Sequence, residues 1–185
     1  RGYRVTAVDR TRAYIEAARD SAEAENLTIE FLTQDVRDFK RPRTFSLALN
    51  LFTSFGFFSS INEELQYIGN IRESLLPGGS FVIDLNGKEI LSRDFTPSEE
   101  YELDGYTVRG EYRIEDDFCR LDNHWSLEGA DGESYSYSFS HRIYSAAELK
   151  SLLLGCGFKA VQIYGGFDGR AYDNDALRLI TVAQT

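Results

Sequence analysis

The feature that most constrains this sequence is the alternation of short apolar segments with amphipathic ones through its first half. The segment from Tyr3 to Val8 is almost entirely apolar, as in strands buried on both faces of a parallel sheet. A helical stripe of apolar residues follows from Thr11. The succession repeats, with strands expected at Thr28–Leu32, Phe45–Leu51 and Ser80–Leu85 and a helix over Glu63–Leu76 that Pro77–Gly79 ends. This order predicts an α/β fold with a doubly wound, mostly parallel sheet.

The second half begins with a different pattern. From Glu100 to Tyr144, polar and apolar residues alternate with period two around Asp-Gly turns, which predicts an antiparallel β meander. Leu121, Asn123, Trp125 and Leu127 are assigned to one face, and Tyr135, Tyr137, Phe139, His141 and Ile143 to another. A helix over Ala146–Leu154, capped by Ser145, and a terminal antiparallel hairpin (strands near Val161–Tyr164 and Leu177–Ala183) complete the chain. We predict a single domain over residues 1–185 with residues 99–144 inserted as a β lid.

Composition excludes several classes of protein. Hydrophobic residues make up 42% of the 185 residues, which excludes a disordered chain. The net charge of −10 disfavours a phosphate-binding face, so we expect no nucleic-acid partner. Cys119 and Cys156 lack metal-ligand spacing and cannot form a disulfide framework, so no metal and a cytoplasmic location are expected. No apolar run approaches a membrane-spanning length, and no membrane partner is expected.

Polar side chains stand at the ends of the predicted strands. Asp9, Asp35 and Asn50 follow successive strands, and ligands of open α/β sheets bind outside these carboxyl ends. The Asp9 carboxylate can accept hydrogen bonds from two ribose hydroxyls, and Asp35 can accept one from the exocyclic amine of adenine. Taken singly, each residue is better explained by a helix cap or a solvated turn, and it is the three together, on successive strands, that favour a nucleoside site. No glycine-rich diphosphate motif occurs, so the sequence indicates a nucleoside site without a pyrophosphate site.

Several segments are similar to class I S-adenosylmethionine-dependent methyltransferases of the small-molecule type. The stretch Arg1-Gly-Tyr-Arg-Val-Thr-Ala-Val-Asp9 resembles the second strand of that family. Gln34-Asp35-Val36-Arg37-Asp38-Phe39 resembles its turn after the third strand, and Leu75-Leu76-Pro77-Gly78-Gly79 its turn before the fifth. Gly157-Phe158 and the two strands that follow resemble its terminal hairpin. The resemblance implies a Rossmann-like sheet and covers nearly the whole chain except the meander.

The resemblance implies S-adenosyl-L-methionine as the cofactor, with Asp9 on the ribose and Asp35 on the adenine. The residues expected at the cofactor are Asp9, Arg10, Asp35, Val36, Asn50 and Phe52. The family's first strand and its glycine-rich turn are expected ahead of Arg1.

The expected substrate is a small molecule that accepts a methyl group on nitrogen or oxygen. Asn50-Leu51-Phe52-Thr53 stands where base-methylating relatives carry Asn/Asp-Pro-Pro-aromatic, which argues against nucleic-acid bases. The meander resembles the lid of small-molecule methyltransferases, and its aromatic residues suit a water-excluding pocket around a sulfonium. The residues expected to line this pocket are Phe55, Trp125, Tyr137, Tyr164 and Tyr172, although core or surface packing explains several of them equally well. His141 is the candidate catalytic base, with packing within the lid as its alternative role.

Two other functions remain open at this point. A methyltransferase-like domain that has lost catalysis would serve as a binding or scaffold module. A nicotinamide-dependent oxidoreductase would also place a ribose on Asp9, but the Leu-Leu-Pro-Gly-Gly turn and the terminal hairpin speak against it. The exposed meander also allows a homodimer.

Overall fold

The computed structural model describes residues 2–185 and begins with a β-α-β unit. Strand β1 (Val5–Asp9), helix α1 (Arg12–Ala24) and strand β2 (Ile29–Thr33) follow one another, and the two strands pair in parallel. Helix α1 buries Ile15 and Ala22. The predicted strands and helix are thus found within two residues of their expected positions.

A second, four-stranded sheet forms the centre of the molecule. Strand β3 (Phe45–Asn50) pairs in parallel with β4 (Leu75–Leu85), and helix α2 (Ile61–Ser74) connects them. Ser60 and Glu63 form a capping box at the start of α2, which satisfies free backbone donors of its first turn. Helix α2 ends at Ser74, ahead of the predicted stop at the Pro-Gly-Gly turn.

The terminal strands extend this central sheet in the order β3-β4-β10-β9. Strand β10 (Leu179–Gln184) is antiparallel to both β4 and β9 (Ala160–Tyr164). Helix α4 (Ala146–Gly155) precedes β9 and starts at a second capping box, formed by Ser145 and Glu148. The predicted terminal hairpin is therefore present, and the main core lies between this sheet, α2 and α4, with Phe81, Ile68 and Leu149 fully buried.

The structure differs from the single doubly wound sheet that the sequence predicts. Within residues 2–185, β1 pairs only with β2, and β3 pairs only with β4, so two separate sheets result. Val5 on β1 and Leu47 and Leu49 on β3 are exposed, which is unusual for apolar strands of a parallel sheet. The family strand expected ahead of Arg1 lies outside the described residues.

Side-chain contacts nevertheless connect the two sheets. The Arg37 guanidinium follows β2 and contacts Glu63 in the first turn of α2. Gln66 Nε2 and Asn70 Nδ2 of the same helix donate hydrogen bonds of 2.9 and 2.6 Å to the Arg37 carbonyl oxygen. Because α2 begins beyond the carboxyl end of β3, these contacts bring the carboxyl ends of β2 and β3 to the same edge of the molecule.

The inserted meander consists of four antiparallel strands in sequential order. They are β5 (Ser98–Leu103), β6 (Tyr106–Glu115), β7 (Arg120–Gly129) and β8 (Ser134–Arg142). The short helix α3 (Lys88–Asp94), which the sequence did not predict, leads into them from β4. The four strands span residues 98–142, where the sequence predicts an insertion over residues 99–144; that the insertion acts as a lid stays a prediction.

The strand register corrects the predicted faces of the meander. Trp125 pairs directly with Tyr137, and Leu121 pairs with His141, so the two sets assigned to different faces share one face. We call it the aromatic face, and define it by Glu99, Tyr101, Leu103, Tyr106, Val108, Gly110, Tyr112, Ile114, Leu121, Asn123, Trp125, Leu127, Gly129, Tyr135, Tyr137, Phe139 and His141. The opposite, polar face carries most of the charged residues and the serines of β8.

Candidate active site

The carboxyl ends of β1, β3 and β4 carry the acids and amides of the candidate site. Asp9 and Asn50 are the last residues of β1 and β3, and Asp84 is the penultimate residue of β4. In open α/β folds ligands bind outside this edge of the sheet. The sequence predicted Asp9 and Asn50 but not Asp84.

Asp9 is partly committed to the backbone of the following turn. Its Oδ1 accepts a hydrogen bond of 2.7 Å from the Thr11 backbone N–H, which fixes the carboxylate at the start of α1. Its Oδ2 makes no hydrogen bond to residues 2–185 and is left for a ligand hydroxyl. The adjacent Arg10 is exposed, and its charge acts on Asp35. The geometry thus fits the predicted role of Asp9 without testing it.

Asp35 forms a tight ion pair in place of the open carboxylate that the prediction assumed. The Arg37 guanidinium donates to both Asp35 oxygens, at 2.9 Å from Nε and 2.6 Å from Nη2. Arg37 holds the pKa of Asp35 down at about 2, so this carboxylate is ionised at all physiological pH values. The neighbouring Val36 packs against the main core. The predicted contact of Asp35 with adenine would have to share its oxygens with Arg37.

Asn50 offers an unsatisfied polar atom at the same edge. Its Nδ2 donates a hydrogen bond of 3.1 Å to the Tyr67 hydroxyl, whose burial raises the pKa of Tyr67 to about 12. Its Oδ1 is buried and has no hydrogen-bond partner. A buried acceptor without a partner costs free energy, so a ligand that donates a hydrogen bond here would be stabilised.

The turn after β3 is held in an uncommon backbone conformation by a buried ion pair. Phe52 and Thr53 have φ values of 55° and 59°, in the left-handed region. Asp84, 1% exposed, accepts hydrogen bonds from the Phe52 N–H at 2.9 Å and from Arg178 Nε at 2.7 Å. Arg178 also donates to the Thr53 hydroxyl at 3.0 Å. As a result the Phe52 side chain is 82% exposed, where a ligand can reach it.

Of the next aromatic residues in this loop, Phe55 is buried in the core and Phe57 lies at the surface. Phe55 is 0% exposed and packs against Tyr67 and Tyr144, so it is a core residue. Its predicted place in the substrate pocket is therefore wrong, because no ligand reaches a side chain that the core encloses. Phe57 takes the exposed position instead, and its ring stacks on His141 with centroids 4.9 Å apart.

His141 is enclosed on the aromatic face of the meander. It is 6% exposed, and its Nδ1 lies 3.4 Å from Asn123 Nδ2. Burial, assisted by the charge of Arg120, lowers the pKa of His141 to about 4, so the ring is neutral at pH 7. A neutral imidazole can accept a proton, but one with so low a pKa holds it weakly. Its role as a base stays a prediction, whereas its stacking on Phe57 is observed.

The other predicted pocket residues lie in three places. Trp125 and Tyr137 pair across the aromatic face, with Trp125 half-buried against Phe139 and Tyr137 59% exposed. Tyr164 ends β9, the strand farthest from β3 in the central sheet. The hydroxyl of Tyr172 donates a hydrogen bond of 2.9 Å to Glu89 of α3. The structure brings Trp125 and Tyr137 together and leaves Tyr164 apart from them.

A fully buried acid joins the meander to the core. Glu64 of α2 accepts a hydrogen bond from the Tyr144 hydroxyl, and Arg142 Nε lies 3.8 Å from its other oxygen. Burial raises the pKa of the Glu64 carboxyl above its usual range. Since Arg142 ends β8, this cluster fixes the base of the meander against α2.

Residues 2–185 contain neither a cluster of metal-ligating side chains nor a membrane-spanning helix. No group of three histidine, cysteine or acidic side chains there is arranged to hold a metal ion. No helix there is long and apolar enough to cross a membrane.

Comparison with known proteins identifies the fold. Residues 1–79 match the family model described as a methyltransferase domain. The chain is 26% identical over 141 residues to the dTDP-3-amino-3,4,6-trideoxy-alpha-D-glucopyranose N,N-dimethyltransferase of Streptomyces venezuelae, covering 74% of this chain and 60% of that protein. The solved structure of the CcbJ methyltransferase from Streptomyces caelestis superposes with a TM-score of 0.86 at 19% identity, over 100% of this chain and 75% of that one. The solved structure of an S-adenosylmethionine-dependent methyltransferase from Clostridium acetobutylicum superposes with a TM-score of 0.83 at 18% identity, over 98% of this chain and 75% of that one.

The chain has the fold of class I S-adenosylmethionine-dependent methyltransferases, and its residues 1–79 match the methyltransferase-domain model. The predicted resemblance is thereby confirmed, and with it the α/β fold. S-adenosylmethionine is the cofactor of this class of methyltransferase. The residues present fit such a cofactor. The unbonded Asp9 Oδ2 can accept a hydrogen bond from a ribose hydroxyl, and the buried Asn50 Oδ1, which has no partner, can accept a hydrogen bond from another group of the cofactor.

Sequence reasoning missed three side chains at the candidate site. Asp84 stands out as an acid near the end of an apolar strand, the same signal that pointed to Asp9. Arg178 lies 94 residues further along, and no local pattern links it to Asp84. Phe57 belonged to an aromatic run whose buried and exposed members the sequence could not separate.

Proposed function

We propose that this methyltransferase transfers a methyl group from S-adenosyl-L-methionine to a nitrogen or oxygen of a small molecule. Asp9, Arg10, Asp35, Val36, Asn50 and Phe52 would hold the cofactor. Trp125 and Tyr137 on the aromatic face, together with Phe57, would meet the acceptor. The observation that supports the proposal is the contact of Phe139 and His141, on the aromatic face, with Phe57, which belongs to the loop that follows Asn50.

The bound cofactor would supply a methyl group on a positively charged sulfur, which an aligned nucleophile displaces in line. The protein's share of this chemistry is mainly to position the groups and to exclude water. The Asp9 carboxylate would orient the ribose by accepting its hydroxyl hydrogens. Aromatic rings at the meander suit a cationic sulfur, since their faces attract positive charge. The acceptor must present a lone pair, and its proton leaves to a base or to water.

Small-molecule acceptors are favoured by two observations. The net charge of −10 opposes the approach of nucleic acids. The Streptomyces venezuelae relative is named for an amino sugar linked to dTDP. By analogy, a compact polar acceptor bearing an amine or a hydroxyl is the first class to test.

Calorimetric titration with S-adenosylhomocysteine tests the cofactor assignment. We expect binding to the wild-type chain, about tenfold weaker binding to Asp9→Ala because a charged hydrogen-bond acceptor is lost, and no binding of NADH. Asp20→Ala is the matched control: it removes an exposed acid from α1, the helix that follows Asp9, and the variant should bind S-adenosylhomocysteine as the wild type does. Equal affinities of the Asp9→Ala and wild-type proteins would refute the assignment.

A further inference from the structure

Charge is distributed very unevenly over the two faces of the meander. The polar face carries Arg109, which forms ion pairs with Glu100 at 2.6 Å and with Glu128 at 2.7 Å. Among the strand residues of the aromatic face, Glu99 is the only side chain charged at neutral pH, since His141 is neutral. A single carboxylate on an otherwise apolar and aromatic surface marks a position where a cation can bind.

Glu99 also lacks a cationic partner of the kind that Arg109 provides for Glu100 and Glu128. Its Oε1 accepts a hydrogen bond from the Tyr112 hydroxyl, and its Oε2 makes no hydrogen bond or ion pair with residues 2–185. Burial and the Glu99 charge together raise the pKa of Tyr112 to about 12, so the phenol keeps its proton and goes on donating. Tyr112 thus fixes one carboxylate oxygen and leaves the other free.

Aromatic side chains lie on one side of this carboxylate, across β6 and β7. Gly110 pairs directly with Glu99 on one side and with Trp125 on the other. The Tyr112 hydroxyl lies over this glycine, because a Cβ there would come within 2.4 Å of it. The row continues from Trp125 to Tyr137 on β8. Strands β5 and β7 lie two strand spacings apart, about 9.6 Å, so one small ligand can reach both the carboxylate and the indole.

We propose that Glu99, Tyr112 and Trp125 form a binding site for the cationic amino group of a small acceptor molecule. A carboxylate beside aromatic faces is the combination that binds an ammonium ion, by charge on one side and by the π systems on the others. This inference rests on the proposed function, since the aromatic face is the surface assigned there to the acceptor. It adds that the acceptor molecule carries a cationic amino group, bound on the β5 side of the meander, while the methyl group goes to another atom of the same molecule that presents a lone pair.

Trp125 is the only tryptophan of the chain, so its fluorescence reports this site alone. The probes are cyclohexylamine, which is a cation at neutral pH, and cyclohexanol, its neutral counterpart of nearly equal size. We expect saturable changes with the amine and about tenfold weaker binding of the alcohol. We expect Glu99→Gln to lower the affinity for the amine about tenfold and to leave that for the alcohol unchanged.

Two variants serve as controls. Glu102→Gln removes an acid of the same strand from the polar face, where Glu102 accepts a hydrogen bond from Thr107 at 2.7 Å, and it should leave amine binding unchanged. Glu133→Gln removes the acid at the tip of the meander that contacts Tyr106 and Tyr135, and it too should leave amine binding unchanged. Circular dichroism establishes that each variant is folded.

The inference is overturned if the amine and the alcohol bind equally well, if Glu99→Gln binds the amine as tightly as the wild type, or if Glu133→Gln causes the loss. The titration needs neither cofactor nor turnover. A protein that binds S-adenosylhomocysteine but gives no Trp125 response disproves only the amine site. A saturable, Glu99-dependent response without methyl transfer would support the amine site and count against the proposed function alone.

Discussion

The central sheet and the meander are built on opposite principles. The central sheet is covered by helices, and its strands carry side chains such as Phe81 and Ile83 that are completely buried. The meander is covered only at its base, where Leu91 packs against Leu121 and Ile143, and its aromatic face is open at Tyr101 and Tyr137. Stability is therefore concentrated in the central sheet, and the meander keeps apolar surface available for a ligand.

The largest expected effect distinguishes these two regions directly. Phe81→Ala should lower the free energy of unfolding by about 4 kcal/mol, because it leaves a cavity in a core that cannot collapse fully. Tyr137→Ala removes a ring of similar size from the open face and should change the free energy of unfolding by about 1 kcal/mol or less. Urea unfolding at neutral pH measures both. Equal losses would show that the meander is as tightly packed as the central sheet.

The next effect compares two ion pairs that differ in burial. Asp84→Ala strands the Arg178 charge beside the central sheet and should cost about 3 kcal/mol or more. Asp168→Ala breaks a solvent-exposed pair with Arg170 and should cost under about 1 kcal/mol. Because Asp84 also holds the turn at Phe52, its loss should weaken binding of S-adenosylhomocysteine as well. An Asp84→Ala protein with unchanged stability would refute the structural role given to this pair.

A smaller effect concerns the enclosed histidine of the meander. The folded pKa of His141, about 4, lies below its ordinary 6.5, so folding favours the neutral ring. The protein therefore has its full free energy of unfolding above pH 6.5 and loses part of it as the pH falls towards 4, because the unfolded chain takes up a proton on His141 that the folded chain does not. This loss is about 3 kcal/mol at most. His141→Phe should remove this part of the pH dependence, whereas His124→Ala, on the polar face, should not. Urea unfolding at a series of pH values measures the difference.

The same variant decides between the two roles of His141. His141→Phe keeps an aromatic ring that can stack on Phe57. If His141 serves only in packing, we expect this variant to keep an activity within a fewfold of that of the wild type. A loss of activity by about a hundredfold in a protein of normal stability would restore His141 as a general base.

The local elements could be predicted from sequence because their signals are local. Ser145 and Glu148 mark the start of α4 through a capping box, and the period-two pattern locates the meander within two residues of its ends. Helix α3 escaped prediction because seven residues give too few turns to show a periodicity. The prediction that Phe55 lines the pocket failed because a run of aromatic residues does not reveal which of them the fold encloses.

Features that depend on register or on distant pairing could not be predicted. The strand register decides whether Trp125 and Tyr137 share a face. A shift of one residue would move Tyr137 to the other face, and the alternating pattern of each strand by itself does not fix the register between strands. The ion pair of Asp84 with Arg178 and the isolation of Glu99 on the aromatic face depend on contacts between remote segments. The positions of Asp9 and Asn50 at the ends of β1 and β3 could be predicted because an apolar run that ends in a polar residue marks the end of a buried strand, whereas their roles at the site stay predictions.

The most direct test of the central claim is a methyl-transfer assay with S-adenosylmethionine and a set of small amines and alcohols, read by mass spectrometry. We predict equal amounts of S-adenosylhomocysteine and of a product heavier by one methyl group, formed by the wild type and by Asp20→Ala and strongly reduced in Asp9→Ala. A chain that binds S-adenosylhomocysteine through Asp9 but methylates no acceptor of either class would contradict the claim and indicate a binding or scaffold domain.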